Sequence, residues 1–217
     1  REGRLVQHGA DSDAQAARDA RDAARRRLRQ ELRRRRAALP PAERRRAARL
    51  VASHLAAAGL LRPGLRIGVY LAVRSEIDLA PFIALARRAG CRLWLPRITD
   101  TRHHRMTFVP ADSPLRRGPH GIPEPARGER RSAQWLQVIL VPLVGFDAAG
   151  DRLGSGAGYY DRALAFRAGR RRWRGPRLIG VAHSCQRADA IAALPTDVAL
   201  DAVVTEKGLF SCSGAAS

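Results

Sequence analysis

The chain has 217 residues, 45% of them hydrophobic, which is enough for one sizeable core. No apolar run approaches the roughly 20 residues that cross a bilayer, so we expect no membrane segment. Its formal net charge of +20 would attract polyanions, but aromatic residues make up only 5%, too few for the stacking platforms of single-strand binding. Three scattered cysteines exclude a disulfide framework or a zinc site. The N-terminus lacks the apolar centre of a secretory signal, and its absence predicts a cytoplasmic protein.

The first part of the chain is predicted to be helical. We expect residues 1–24 to be a partly disordered N-terminal extension, with a frayed tail over residues 1–12 and a helix from Asp13. That helix ends at Leu39, because proline disfavours helical geometry in the residue before it and Pro40 follows. A second helix begins at Pro41 and ends at Gly59, a typical helix-stopping residue.

Strands and helices alternate after this helical start. The patterns predict strands at residues 66–72, 92–95, 106–109, 137–144, 178–182 and 202–205, helices at 79–89 and after Gly158, and a loop at about 110–131. This order predicts an α/β fold, a three-layer sandwich with a largely parallel central sheet, preceded by an N-terminal helical segment. Residues 25–210 would form a single domain, followed by a flexible tail at 211–217.

The segment after the apolar strand at 137–144 is the most unusual in the chain. It reads FDAAGDRLGSGAGYYDR, in which glycines alternate with small residues before a helix that begins near Gly158. Glycine lets backbone N–H groups turn toward an anion, Arg152 adds a full positive charge, and Asp161 adds an oxygen ligand suited to Mg²⁺. Ligands bind beyond the carboxyl ends of parallel strands, where this turn falls. The segment therefore predicts a site for a phosphorylated ligand and its metal.

Each of these residues also has a structural interpretation. A strand, a glycine turn and a helix meet in many α/β proteins because the chain must reverse, and the spacing matches neither a P-loop nor a dinucleotide fingerprint. Asp161 would equally stabilise a helix N-terminus. Glu76, at the carboxyl end of strand 66–72, would equally start the next helix. Asp201 would equally be a turn residue, and His183 a structural histidine.

The glycine-rich segment and the strand before it resemble a family signature, that of the 5-formyltetrahydrofolate cyclo-ligases, over LVPLVGFDAAGDRLGSGAGYYDR. The basic N-terminal helix of that family is similar to RRRLRQELRRRRAALPPAER, and its strand ending in a glutamate is similar to IGVYLAVRSEID. A recurrent loop, a late strand and a C-terminal aspartate segment are similar to GIPEP, GVAHSCQ and LPTDVALDAVVTE. The resemblance covers about residues 25–207.

The resemblance implies an activity and its substrates. The activity is ATP-dependent cyclisation of 5-formyltetrahydrofolate to 5,10-methenyltetrahydrofolate through a phosphorylated formyl intermediate, with release of ADP and phosphate. The implied partners are ATP and 5-formyltetrahydrofolate, with Mg²⁺ as cofactor, and we expect a monomer that binds neither membrane nor nucleic acid. Such chemistry needs positioning and charge stabilisation rather than a protein nucleophile.

The resemblance also implies the site residues. Arg152 and Tyr160 would be catalytic, and Asp161 and Asp201 would hold the metal. The implied ATP-binding residues are Arg25, Arg26, Arg29, Arg152, Leu153, Gly154, Ser155, Gly156, Ala157, Gly158, Tyr159 and Tyr160. The implied folate-binding residues are Leu71, Glu76, Ser155, Gly156, Ala157, Gly158 and Tyr159. The family usually has lysine where Arg25 stands, and arginine keeps the charge but changes the reach.

Two other functions fit parts of the sequence. A basic nucleic-acid-binding protein would lay its arginine helix against phosphates and would bind with a steep salt dependence. A different phosphate-handling enzyme on the same fold, such as a sugar-phosphate isomerase, would need a general base near the phosphate, for which Glu76 is the candidate. The fold alone does not separate the two enzymes.

Overall fold

The computed structural model describes residues 2–167 and 175–212, with side chains from residue 13 onward, so most of the predicted tail at 211–217 lies outside the described residues. The four α-helices are α1 (Glu2–Ala37), α2 (Pro41–Leu55), α3 (Ala80–Arg88) and α4 (Tyr159–Leu164). The backbone of α1 is helical from Glu2, and the partial disorder expected of residues 1–24 stays a prediction. Gly59 follows α2 with φ +75°, as a helix-stopping residue should. No described helix is long and apolar enough to cross a membrane.

Within the described residues, eleven strands form one large sheet and two short hairpins. They are β1 (Arg66–Gly68), β2 (Arg92–Asp100), β3 (Arg105–Pro110), β4 (Leu115–Arg117), β5 (Pro123–Pro125), β6 (Val138–Pro142), β7 (Gly145–Phe146), β8 (Arg152–Leu153), β9 (Arg177–Val181), β10 (Ala202–Thr205) and β11 (Gly208–Ser211). The seven-stranded sheet has the order β11-β10-β9-β6-β1-β2-β3. Its five inner strands are parallel, and β3 and β11 add an antiparallel strand at each edge. The predicted α/β class with a largely parallel sheet is confirmed.

The central strand β6 is buried on both faces. Leu140 faces one core with Leu55 of α2 and Phe82 of α3, and its neighbours Ile139 and Val141 face the other core, to which α4 contributes. This alternation explains the continuous apolar run from which the strand was predicted, since an inner parallel strand has no solvated face. Helices and connecting segments therefore cover both sides of the sheet.

The basic half of α1 packs at the carboxyl edge of the sheet. Leu32 is fully buried in a small cluster with Val144, Leu153 and Ile191. Gly145 makes this contact close, because a Cβ at that position would collide with Leu32. The cluster fixes α1 beside β8, the short strand within the glycine-rich segment that directly precedes Gly154.

Replacement of Leu32 by alanine is expected to lower the free energy of unfolding by about 2–5 kcal/mol, because it leaves a cavity under α1. Chemical denaturation measures the change. Leu85→Ala is the control, since Leu85 is 37% exposed on α3 and its truncation should have a small effect. Equal effects of the two substitutions would contradict the buried contact.

Candidate active site

One cavity of about 780 Å³ opens beyond the carboxyl ends of β6, β1 and β2. Its walls are formed by α1, the residues after β1, strands β2 and β3, residues 119–124, the end of β6, the glycine-rich segment with the start of α4, and the turn before β10. A volume of this size accommodates a nucleotide or a pterin-sized ligand with most of its surface buried. The position agrees with the general location of ligands in parallel α/β sheets.

The glycine-rich loop, residues 154–158, connects β8 to α4 along one wall of this cavity. Gly156 and Gly158 have φ values of +111° and +72°, which favour glycine. Two arginines of α1 fix the carbonyl groups of the loop: Arg29 Nε donates to the Gly154 oxygen at 2.9 Å, and Arg33 Nη2 donates to the Ser155 oxygen at 3.1 Å. These two hydrogen bonds therefore fix the loop against α1.

Most of the predicted ATP-binding loop residues line the cavity, but two do not. Gly154, Ser155, Gly156, Gly158 and both tyrosines are at the wall. Leu153 is fully buried in the core cluster under α1, and Ala157 lies outside the lining. Arg33 was missed by the sequence argument, although it lies four residues after Arg29 and so on the same helix face.

Arg152 and Asp161 form an ion pair at the base of the loop. The Arg152 guanidinium is almost completely buried and also donates from Nε to the Val198 carbonyl oxygen at 3.1 Å. Asp161 Oδ1 accepts from Arg152 and from the Val198 amide. Both side chains line the cavity, and the pair joins the start of α4 to the turn before β10.

Asp201, the second predicted metal ligand, lies elsewhere. It precedes β10 at the amino end of that strand and is outside the cavity lining. Its two oxygens accept from Arg167 at 2.7 and 2.9 Å, and one also accepts from the Leu178 amide at 2.6 Å. The structure thus does not bring Asp161 and Asp201 together in the cavity. Within the described residues, no group of three or more His, Cys, Asp or Glu side chains is arranged to hold a metal ion.

The predicted arginines of α1 all line the cavity, but they differ in whether the guanidinium group has a protein partner. Arg25 Nη1 donates to the Ala192 carbonyl at 2.5 Å and pairs with Asp197 at 2.9 Å. Arg26 lines the cavity and is exposed, and its guanidinium group makes no hydrogen bond or ion pair to the described residues. Asp197 was missed because the sequence argument gave the acidic role in the same LPTDVALD segment to Asp201.

Glu76 lines the cavity from the segment that follows β1. Its Oε2 accepts from the Val73 amide at 3.0 Å, and burial raises the pKa of the carboxyl group, although that amide and the charge of Arg36 oppose the shift. Arg36, buried at the end of α1, donates to Ser75 Oγ at 3.1 Å and thereby supports the segment that carries Glu76. Leu71, as predicted, lies at the same wall.

The two tyrosines at the start of α4 differ in environment. Tyr160 has a buried hydroxyl with no hydrogen-bond partner in the described chain, and burial together with the charge of Glu76 raises its pKa. Tyr159 Oη lies 3.2 Å from Nε2 of His120. The ring centroids of Tyr159 and His104 are 5.3 Å apart. Neither histidine follows a periodic pattern in the sequence from which these contacts could be predicted.

Two motif residues are buried. Glu124 of the GIPEP segment is buried, pairs with Arg116 at 2.6 Å and accepts from the Ile98 amide at 3.0 Å. It therefore holds the β4–β5 hairpin against β2. His183 is buried outside the cavity lining, where desolvation lowers its pKa. Its Nε2 is buried without a hydrogen-bond partner in the described chain, and the structural role of this histidine stays a prediction.

Fold and site define an α/β protein in which a glycine-rich loop and a buried glutamate face one large cavity at the carboxyl edge of a parallel sheet. The model of the 5-formyltetrahydrofolate cyclo-ligase family matches residues 21–206. The chain therefore belongs to the 5-formyltetrahydrofolate cyclo-ligase family.

Similar proteins agree with this assignment. The 5-formyltetrahydrofolate cyclo-ligase of Escherichia coli K12 is 33% identical over 145 residues, which are 64% of this chain and 76% of the relative. That of Haemophilus influenzae is 28% identical over 182 residues, 81% and 94% of the two chains. The solved structure of the 5,10-methenyltetrahydrofolate synthetase of Aquifex aeolicus is 30% identical, with a TM-score of 0.72 over 87% of this chain and 93% of that one. The predictions of family, fold class and cyclo-ligase function are confirmed.

Proposed function

We propose that the protein catalyses the ATP-dependent cyclisation of 5-formyltetrahydrofolate to 5,10-methenyltetrahydrofolate, releasing ADP and phosphate. The observation that carries this proposal is the single cavity that joins the glycine-rich loop to Glu76. One end offers backbone and arginine groups for phosphates, and the other offers a buried carboxylate for the adjacent N–H groups of a pterin ring. The alternatives of a nucleic-acid-binding protein and a sugar-phosphate isomerase gain no support from the family or its relatives.

The reaction takes place in two steps at the formyl group. The γ-phosphoryl group moves to the formyl oxygen, while the electron pair of the broken P–O bond leaves with ADP. N10 of the same folate then attacks the activated carbon and loses its proton, and phosphate leaves with the electron pair of the C–O bond. Both nitrogens belong to one molecule, so a cavity that orients the folate supplies much of the rate enhancement.

The residues take three roles in this proposal. The loop from Gly154 to Gly158 and the unpaired Arg26 bind the phosphates. Glu76 and Leu71 bind the pterin ring, with Tyr160 between the two ends. Arg152 acts as a positioning residue, because its guanidinium is already bound to Asp161 and to the Val198 carbonyl.

Magnesium is proposed to arrive with ATP, where it would neutralise phosphate charge. Asp161 fits as its protein ligand, since it lines the cavity and its Oδ2 makes no hydrogen bond to the described part of the chain. A role for Asp201 stays a prediction, and it would require release of Arg167. The monomeric state and the cytoplasmic location also stay predictions.

The test is a turnover assay with 5-formyltetrahydrofolate, ATP and Mg²⁺ that follows the absorbance of the methenyl product. We expect product to form only when all three are present, with one ADP released for each methenyl group. Folded protein that forms no product, or forms it equally without ATP, would overturn the proposal.

The pH dependence of folate binding is expected to report the environment of Glu76. Burial is the largest cause of its raised pKa, so protonation removes the pterin acceptor at a higher pH than for an ordinary glutamate, whose pKa is about 4.3. The acidic limb of kcat/KM for the folate should therefore lie above that value and disappear in Glu76→Gln. An unchanged limb in the variant would assign the titration to another group.

A further inference from the structure

Five arginines of the described residues line the cavity, and their guanidinium groups are either engaged by protein partners or free. The five are Arg25, Arg26, Arg29, Arg152 and Arg162. Arg25 is engaged by Asp197, Arg29 by the Gly154 carbonyl, and Arg152 by Asp161 and the Val198 carbonyl. The guanidinium groups of Arg26 and Arg162 make no hydrogen bond or ion pair to the described residues, although the Arg162 backbone N–H donates to the Gly158 carbonyl. Among the described residues, two guanidinium groups at the cavity are thus available to a ligand.

Arg162 is the free arginine that lies against the glycine-rich loop. It belongs to α4 and folds back so that a Cβ on Gly158 would be 3.2 Å from its Nη1. The bare glycine therefore lets the guanidinium lie directly over the end of the loop. Arg162 is exposed, and its neighbours Tyr160 and Asp161 line the same wall. Arg26 reaches the cavity from a different element, α1.

We propose that Arg162 is a catalytic residue that contacts the γ-phosphoryl group during its transfer, an inference that rests on the proposed function. Negative charge spreads over the non-bridging oxygens as the bond to the formyl oxygen forms and the bond to ADP breaks. A free guanidinium can donate to those oxygens without breaking a protein contact, and it neither gains nor loses a proton. Arg152 would first have to leave Asp161 and so is less suited to this role.

Three variants test the inference: Arg162→Gln, Arg162→Lys and Arg162→Ala. We expect Arg162→Gln to lower kcat about 100-fold at saturating substrates, the size of effect seen when one donor to a developing charge is removed. Arg162→Lys should fall between the wild type and Arg162→Gln, and guanidinium ion should restore part of the activity of Arg162→Ala. Dissociation constants for ADP and for the folate should stay near wild type, because neither ligand carries the transferring group.

Arg49→Gln is the matched control. Arg49 is exposed on α2 and lies outside the cavity lining, so its variant should keep wild-type kinetics. Wild-type kcat in Arg162→Gln, or an equal loss of ATP and ADP affinity with unchanged kcat, would overturn the catalytic role. A wild-type protein that forms no methenyl product would instead overturn the proposed function itself, so the two failures are distinguishable.

Discussion

Replacement of Glu76 by glutamine is expected to lower kcat/KM for 5-formyltetrahydrofolate by about 10²- to 10³-fold, with KM for ATP unchanged. The carboxylate can accept two charge-assisted hydrogen bonds from adjacent N–H groups of the pterin ring, each worth about 1.5–3 kcal/mol. Glutamine keeps the shape but offers one acceptor and places an amide donor against a ring donor. The loss should appear mainly in KM for the folate.

Steady-state kinetics with each substrate varied in turn measures this effect, and direct binding of the folate checks it. Glu43→Gln is the control, because Glu43 is exposed in the first turn of α2 and outside the cavity lining. Unchanged folate affinity in Glu76→Gln would mean that the glutamate only supports its own loop through the Val73 amide. A loss confined to ATP would reverse the assignment of the two ends of the cavity.

The buried elements were the ones that the sequence could predict. Residues 138–142 are apolar throughout because both faces of β6 are covered. In contrast, all three residues of β4, Leu115–Arg117, are exposed, so no alternation marks the hairpin and a loop was predicted there. The predicted strand at 66–72 ends at Gly68 in the sheet, since the following residues leave it to line the cavity.

The site was predictable as a set of motifs but not as a set of contacts. The arginine run of α1 looks uniform in the sequence, yet Arg25, Arg29 and Arg33 bind three different backbone carbonyls. Their spacing of four residues puts them on one helix face, and the packing of Leu28 and Leu32 against the cluster turns that face toward the loop. Which arginines remain free is decided by partners distant in the sequence.

For the two aspartates predicted to hold the metal, too, the sequence predicts the residues but not their contacts. Asp161 and Asp201 are both acidic residues beside apolar segments, and composition does not separate them. Asp201 stands where β10 begins, at the amino end of a parallel strand, whereas ligands gather at the carboxyl ends. Each has an arginine partner, so the pairs Asp161–Arg152 and Asp201–Arg167 form a natural comparison.

Replacement of Asp161 by asparagine is expected to lower kcat/KM for Mg²⁺·ATP about 100-fold and to raise the Mg²⁺ concentration needed for half-maximal rate. Asparagine loses the negative charge that a hard cation prefers and releases Arg152 from its ion pair. The free energy of unfolding should fall by about 1–3 kcal/mol, because the nearly buried guanidinium loses a charged acceptor.

Asp201→Asn separates the loss of an ion pair from the loss of a metal ligand. Its carboxylate binds Arg167 and the Leu178 amide with about the same exposure as Asp161, and its removal should also cost stability, but less, because Arg167 is more exposed than Arg152. The Mg²⁺ requirement should stay at the wild-type value in Asp201→Asn and rise in Asp161→Asn. A rise in both variants would support the pair of metal ligands predicted from the sequence and would require Arg167 to release Asp201 when Mg²⁺·ATP binds. A rise in neither, with stability lost in both, would leave Asp161 as the partner of Arg152 alone.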